Sequence, residues 1–320
     1  MVSQRLASFR RGAHLSFVRG CPPLFGSAYH VWWHDDLPCA LGRGRFDAAE
    51  LIRGDRRILG DCRGSRVMAM AAPRAADGLV VMHEHPRGAR LFTTRGADPI
   101  GETIYAEEHF DLPLATDGRH IVTTTRRGQQ LRWFTDWTLR AQLPVSLPPL
   151  LNSRVIALEP LADALLMTTT DRWSRWSCWS WDGQLLTSWP TPADRSWWSV
   201  TWSEPAPILL IQSLDVAGRP RFGHDSLEVV AWDLETGAQR SFGLAREWPK
   251  AAVSPDGRWL ALARVTREGR GLELWDLPAM QLVERIRAPR RAVHSLAFAP
   301  DSRHLALATK HDLFVLRIHP

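Results

Sequence analysis

The sequence predicts an all-β protein, and three observations predict it. Turn-forming residues recur at intervals of about 40 to 50 residues, the period of small sheets repeated in series. The runs beside these turns alternate large and small apolar residues, as β-strands do. Hydrophobic residues make up 45% and charged residues 23% of the 320 positions, the balance of a globular protein that buries a substantial core.

The clearest repeat joins Ser254–Ala263 to Ala299–Ala308, which lie 45 positions apart and share seven of ten residues. In the first copy, Pro255–Gly257 predicts a tight turn. Proline presets φ, aspartate bonds its own backbone and glycine accepts a positive φ. Trp259–Ala263 then alternates large and small residues like an inner strand. Leu272–Asp276 is predicted as the strand that follows.

Weaker copies of the turn extend the repeat towards the N-terminus and bring the total to seven: Asp35-Asp36, Ala76-Asp77-Gly78, Thr116-Asp117-Gly118, Leu161-Ala162-Asp163 and Glu204-Pro205. Because the chain ends after the third strand of the last repeat, that sheet would keep an exposed edge. Residues 13–19 can supply the fourth strand, and residues 4–10 are a second candidate. The expected fold is a seven-bladed β-propeller, its last blade closed by an N-terminal strand.

We expect one propeller domain over residues 1–320. The turn spacing assigns the blades to residues 28–64, 65–106, 107–147, 152–191, 195–244, 247–287, and 291–320 plus 13–19.

Trp-Asp pairs end three of the predicted third strands, at Trp181-Asp182, Trp232-Asp233 and Trp275-Asp276, and Asp312 precedes another. With the repeated turn, this pattern resembles the WD-repeat (WD40) family, most strongly in the C-terminal third. The resemblance implies a propeller that binds other macromolecules. The family's Gly-His pair before the first strand is absent, since Gly223-His224 lies too close to a third strand. A six-bladed ring and another propeller family are alternative interpretations.

Motifs for catalysis or cofactor binding are weak. His83-Glu84-His85 places two imidazoles on one face of an extended segment, but no third ligand is near, so a polar strand end is the simpler interpretation. Ala231–Gly237 resembles the start of the tryptophan-docking motif of quinoprotein dehydrogenases, yet Ser241 stands where that motif has tryptophan. A hairpin turn explains the same residues. We therefore expect no enzyme activity, cofactor or metal, with a hydrolase or quinone-dependent oxidoreductase as the alternative.

The net charge of +6 and a pI near 9.7 favour an acidic partner. Of the 40 basic residues only Lys250 and Lys310 are lysine, a bias typical of a GC-rich bacterium. No export signal, membrane-length apolar run or Cys-x-x-Cys pair occurs. We expect a cytoplasmic protein with reduced thiols.

In propellers that resemble this one, loops from the second to the third strand share a top face with loops that join the blades. Here these loops are rich in arginine, and eight of the sixteen tryptophans lie between Trp173 and Trp202. Tryptophan and arginine often dominate binding energy at interfaces. The candidate partner-binding residues are Arg126, Arg127, Arg172, Trp173, Arg175, Trp176, Arg195, Trp197, Trp198, Arg290 and Arg291. The alternative is that the tryptophans pack between blades, as Trp179 and Trp181 are expected to do.

The leading functional hypothesis is a scaffold or regulatory protein within a larger complex, whose top face receives an acidic peptide or protein. Nucleic-acid binding through the same arginines, with tryptophans stacked on bases, is the alternative. Interleaved acids such as Asp171 and Asp194 argue against a continuous phosphate track. The opposite face is predicted to carry acidic turns, including those at Asp117, Asp136 and Asp256, diluted by arginines.

Overall fold

The computed structural model describes residues 15–20, 27–34, 36–43, 49–53, 56–59, 67–71, 78–85, 88–95, 98–105, 114–125, 130–144, 154–160, 164–170, 175–190, 196–203, 208–214, 227–233, 236, 238–247, 249–266, 269–287, 292–309 and 312–319. Among these residues all regular structure is β-strand, in four-stranded antiparallel sheets.

The strands of the N-terminal half form three complete sheets. β1 (Leu15–Gly20) precedes them in the chain but belongs to the last sheet. The next strands pair in chain order. They are β2 (Ser27–His34), β3 (Leu37–Arg43), β4 (Ala49–Arg53) and β5 (Arg56–Leu59); then β6 (Val67–Ala71), β7 (Gly78–His85), β8 (Gly88–Arg95) and β9 (Asp98–Tyr105); then β10 (Leu114–Thr116), β11 (Ile121–Thr125), β12 (Gln130–Phe134) and β13 (Gln142–Leu143).

The C-terminal half continues the same pattern. The strands are β14 (Arg154–Pro160), β15 (Ala164–Thr170), β16 (Arg175–Ser180) and β17 (Leu185–Pro190); β18 (Ser196–Ser203), β19 (Ile208–Leu214), β20 (Leu227–Asp233) and β21 (Gln239–Ala245); β22 (Lys250–Val253), β23 (Trp259–Thr266), β24 (Gly269–Asp276) and β25 (Gln281–Arg287); and β26 (Val293–Phe298), β27 (His304–Thr309) and β28 (Leu313–Ile318). β1 joins the last three strands to form a sheet in the order β26-β27-β28-β1.

The described residues thus form seven four-stranded sheets, and each predicted turn lies between the first and second strands of one of them. β1 pairs with β28 from Leu15↔Ile318 to Gly20↔Phe314, with a bulge after Phe17. β1 therefore lies beside β28 at the edge of the last sheet.

The chain divides into two compact units, residues 1–42, 52–56 and 195–320, and residues 43–51 and 57–194. In the first unit, β23 shows how its sequence packs the sheets. Trp259, Ala261 and Ala263 face one cluster with the β26–β28 strands. Leu260 and Leu262 point the other way, into a cluster with β20 and β21. The period of two thus places one strand between two neighbouring sheets.

The second unit repeats this arrangement around β11 and β12. Ile121 and Phe134 pack towards β7 and β8. Val122 and Trp133 pack towards β15 and β16, where the Trp133 indole Nε1 donates to the carbonyl of Trp181 at 2.9 Å. Trp181 is 6% exposed. Burial against two neighbours explains why adjacent residues, Ile121 with Val122 and Trp133 with Phe134, are both apolar.

The aspartates of two Trp-Asp pairs stabilise the turn from the third to the fourth strand. Asp233 Oδ1 accepts a hydrogen bond from the backbone N–H of Thr236 at 3.1 Å, and Asp276 Oδ1 from that of Ala279 at 3.0 Å. The hairpin predicted for Ala231–Gly237 is confirmed, because Trp232 pairs with Gln239 across it.

Candidate functional site

Most of the predicted binding face lies outside the described residues: Arg126, Arg127, Arg172, Trp173, Arg195, Arg290 and Arg291. For Arg175, Trp197 and Trp198 the structure describes the backbone. Arg175 begins β16, and the two tryptophans lie in β18, so these three residues belong to strands and not to the predicted loops.

Trp176 corrects the prediction directly. It lies in β16, paired with Thr168 and Trp189, and its side chain is 0% exposed. It is therefore a core residue, and its assignment to an exposed binding loop is wrong. The reason is that β16 already begins at Arg175, so Trp176 lies within a paired strand and not in the loop before it. The expectation that Trp179 and Trp181 are buried is confirmed.

Two turns between first and second strands have the same hydrogen bonding. Asp117 Oδ1 accepts from the backbone N–H groups of Arg119 (2.8 Å) and His120 (2.6 Å), and its Oδ2 lies 2.8 Å from His120 Nδ1. Asp301 makes the equivalent contacts with Arg303 (2.8 Å) and His304 (3.1 Å to its N–H, 2.7 Å to Nδ1). The carboxylates are thus engaged within their own turns.

The arginines of these turns are left on the surface. Arg119 and Arg303 are both exposed, and neither guanidinium forms an ion pair within the described part of the chain. Burial raises the pKa of Asp301, but the hydrogen bonds from Arg303 and His304 outweigh it and hold that pKa below its usual value. The acidic turns expected on this face therefore present their arginines to solvent.

Trp137 joins two sheets of the second unit. It follows β12, and its indole Nε1 donates to the carbonyl of Gly118. The hydroxyl of Thr93, on β8, donates to the Trp137 carbonyl at 2.5 Å. A Cβ atom at Gly101 would lie 2.5 Å from that same carbonyl oxygen, so only glycine allows the turn to approach β9 so closely. The segment is held by hydrogen bonds and by packing.

A partly open cleft of about 340 Å³ lies beside Trp137, where the end of β8, the start of β9 and two turns meet. We call it the Arg95–Arg119 cleft. Its lining includes Arg95, Ile100, Arg119, Asp136 and Trp137.

The chemistry of this cleft is cationic and partly apolar. Arg95 and Arg119 are exposed, and within the described residues neither guanidinium has an ion-pair or hydrogen-bond partner. Among the described lining residues the one carboxylate belongs to Asp136, whose Oδ1 accepts from the Thr138 N–H (2.9 Å) and hydroxyl (2.7 Å). Ile100 is 38% exposed. The sequence does not predict this site, because its residues come from different repeats.

His83 does not belong to a metal site among the described residues. It is 1% exposed, and neither ring nitrogen has a hydrogen-bond partner. Burial, and then the positive charge of Arg90, lower the pKa of His83 to about 4, so the ring is neutral at pH 7. Across the described ranges, no group of three or more His, Cys, Asp and Glu side chains is placed to hold a metal ion.

The described segments contain no helix of the length and apolarity needed to cross a bilayer.

Comparison with known proteins gives a likeness in structure. No family model matches the sequence, and no curated protein matches it. Among solved structures, the whole chain superposes on part of Raptor from Chaetomium thermophilum, with a TM-score of 0.64 and 11% identity. It covers 30% of the length of that chain. The likeness is one of fold alone. Together with the small antiparallel sheets, it is consistent with the WD40-like propeller that the sequence predicts.

Proposed function

We propose that the chain is a seven-bladed propeller that binds an acidic segment of a partner protein, without catalysis, as one component of a larger cytoplasmic complex. In this proposal β1 closes the ring by completing the last sheet. The partner binds a basic face rich in arginine and tryptophan.

The strand order carries this proposal. In each antiparallel four-stranded sheet, the connection from the second to the third strand leaves the end opposite to the first turn. Arg126 and Arg127 lie between β11 and β12, and Arg172 and Trp173 between β15 and β16. In a ring, these connections gather on one rim.

Connections between sheets leave from that same end. Arg195 lies between β17 and β18, and Arg290 and Arg291 lie between β25 and β26. With a net charge of +6, such a rim attracts an acidic partner. Arginine and tryptophan supply the large contacts and forked hydrogen bonds that make binding specific.

Affinity capture with the full chain tests the proposal, at low and high NaCl and with or without nuclease. The double variant Arg172→Ala/Trp173→Ala removes candidate contacts and leaves the buried Trp176 unchanged. Arg303→Ala is the control, because it removes an exposed arginine from the opposite end of its sheet.

We expect the chain to capture a protein partner even after nuclease treatment, and less of it at high salt. The double variant should lose this capture, and the control variant should retain it. Capture that disappears with nuclease would instead support nucleic-acid binding. Equal capture by the double variant and the unaltered chain would refute the proposed face.

A further inference from the structure

We propose that the Arg95–Arg119 cleft is a second binding site, which takes an acidic polypeptide segment with an aliphatic side chain. A carboxylate of the segment lies between the two guanidinium groups, and the aliphatic side chain lies on Ile100. The site uses none of the residues of the proposed basic face.

Unpaired charge is the first observation behind this site. Arg95 and Arg119 line one cleft and have no carboxylate partner among the described residues. The described acids nearby form no ion pair with them. Asp117 bonds its own turn, Asp136 accepts two hydrogen bonds from Thr138, and Asp98, opposite Arg95 in the pairing of β8 with β9, forms no ion pair with it. Each guanidinium is therefore available to form a forked pair with a ligand carboxylate.

Rigidity is the second observation. The Trp137 turn that borders the cleft is held by Thr93 and by the indole hydrogen bond to Gly118. The close approach at Gly101 prevents the turn from moving towards β9. A preformed cleft binds without the entropic cost of ordering its walls.

The exposed apolar surface of the cleft indicates which class of ligand it binds. Ile100 exposes an aliphatic surface beside the two cations, and a phosphate group would gain nothing from it. The indole of Trp137 is only 4% exposed, so it offers no face on which a base could stack. A volume of about 340 Å³ suits a few side chains of a peptide.

Methyl NMR on the full chain provides the test, because β9 carries an internal control. Ile100 lines the cleft, whereas Ile104 does not, and both are exposed, by 38% and 45%. The isoleucine δ1 methyl groups are labelled, and the two signals are assigned with Ile100→Val and Ile104→Val. The probe is a pool of peptides in which leucine or isoleucine is flanked by glutamates, and the control pool has lysines in place of glutamates.

We expect the acidic pool to shift the Ile100 signal saturably, with the Ile104 signal and the lysine pool unaffected. Arg119→Glu should weaken this binding by about tenfold or more. Arg303→Glu should leave it unchanged, because Arg303 occupies the same kind of turn but lines no part of the cleft.

Three results would overturn the inference. They are no shift of Ile100, equal weakening by both arginine variants, and an equal shift with inorganic phosphate or an oligonucleotide. The measurement reports on the cleft alone. It can therefore fail while the basic face still captures its partner, and the reverse also holds.

Discussion

Arg264 and Glu273 form a buried bidentate ion pair, with Nη2–Oε2 at 2.9 Å and Nε–Oε1 at 3.1 Å. The same guanidinium donates through Nη1 to the carbonyl of Phe242, on β21, at 2.6 Å. Arg285 lies 3.7 Å from the carboxylate, and the Trp275 indole donates to it at 3.0 Å. A single carboxylate on β24 thus orients groups that join two neighbouring sheets of the first unit.

Glu273→Gln should lower the free energy of unfolding by about 3 to 5 kcal/mol, because it leaves two arginines without their buried counter-charge. Urea denaturation measures the loss. Glu102→Gln is the matched control, since its pair with Arg90 at 2.9 Å is more exposed, at 29% and 46% of the two side chains, and should cost about 1 kcal/mol or less. Similar losses in both variants would mean that burial of the Glu273 network adds no stability.

Trp137→Ala should cost about 3 to 5 kcal/mol, because the indole fills the space between two sheets and donates a hydrogen bond. Gly101→Ala should also destabilise the fold, since its Cβ would contact the Trp137 carbonyl oxygen at 2.5 Å. Ile104→Ala, at an exposed position of the same strand, is the control. Thermal unfolding of the three variants would contradict this account if the control lost as much as the other two.

Trp176→Ala should cost about 3 to 5 kcal/mol, whereas Trp173→Ala should change stability little and weaken partner capture instead. Trp176→Phe should cost less than the alanine variant, because the Trp176 Nε1 has no hydrogen-bond partner to lose. Chemical denaturation combined with the capture assay separates the two positions. A large stability loss from Trp173→Ala would mean that this tryptophan packs between sheets.

The free energy of unfolding should fall as the pH decreases from about 6.5 to 4. Protonation of His83 should account for about 3 kcal/mol of this loss. The pKa of His83 is about 4 in the folded chain and 6.5 in the unfolded one, so the unfolded state takes up a proton first. Urea denaturation at several pH values measures the slope. His83→Leu should remove most of it, and an unchanged slope would show that other groups cause it.

Protonation of Asp301 should lower the stability of the fold in a separate pH range, below that of His83. The folded-state pKa of this carboxyl lies below 3.8, so its contribution is present above that value and is lost as the pH falls further. Asp301→Asn should therefore lower the free energy of unfolding above that pKa and abolish the further loss below it, in a pH range that the same titration separates from that of His83.

Local sequence was a sound guide to strands and turns and a poor guide to exposure. The copies of the turn at Ser254–Ala263 and Ala299–Ala308 could be recognised because proline, aspartate and glycine act within four residues. Trp176 was misjudged because the residues around it carry no signal for the start of β16, which begins at Arg175. Pairing with Thr168 and Trp189 on the adjacent strands makes it part of the sheet.

The sequence by itself predicted where the turns and most strand segments lie, and it offered a candidate N-terminal closing strand. These features follow from turn chemistry and from the two-residue period of a strand, which are local. Only the tertiary structure decided that Arg95, Ile100 and Arg119 line one cleft and that Arg264 reaches the carbonyl of Phe242. Such contacts join residues distant in the chain, so packing between sheets creates them.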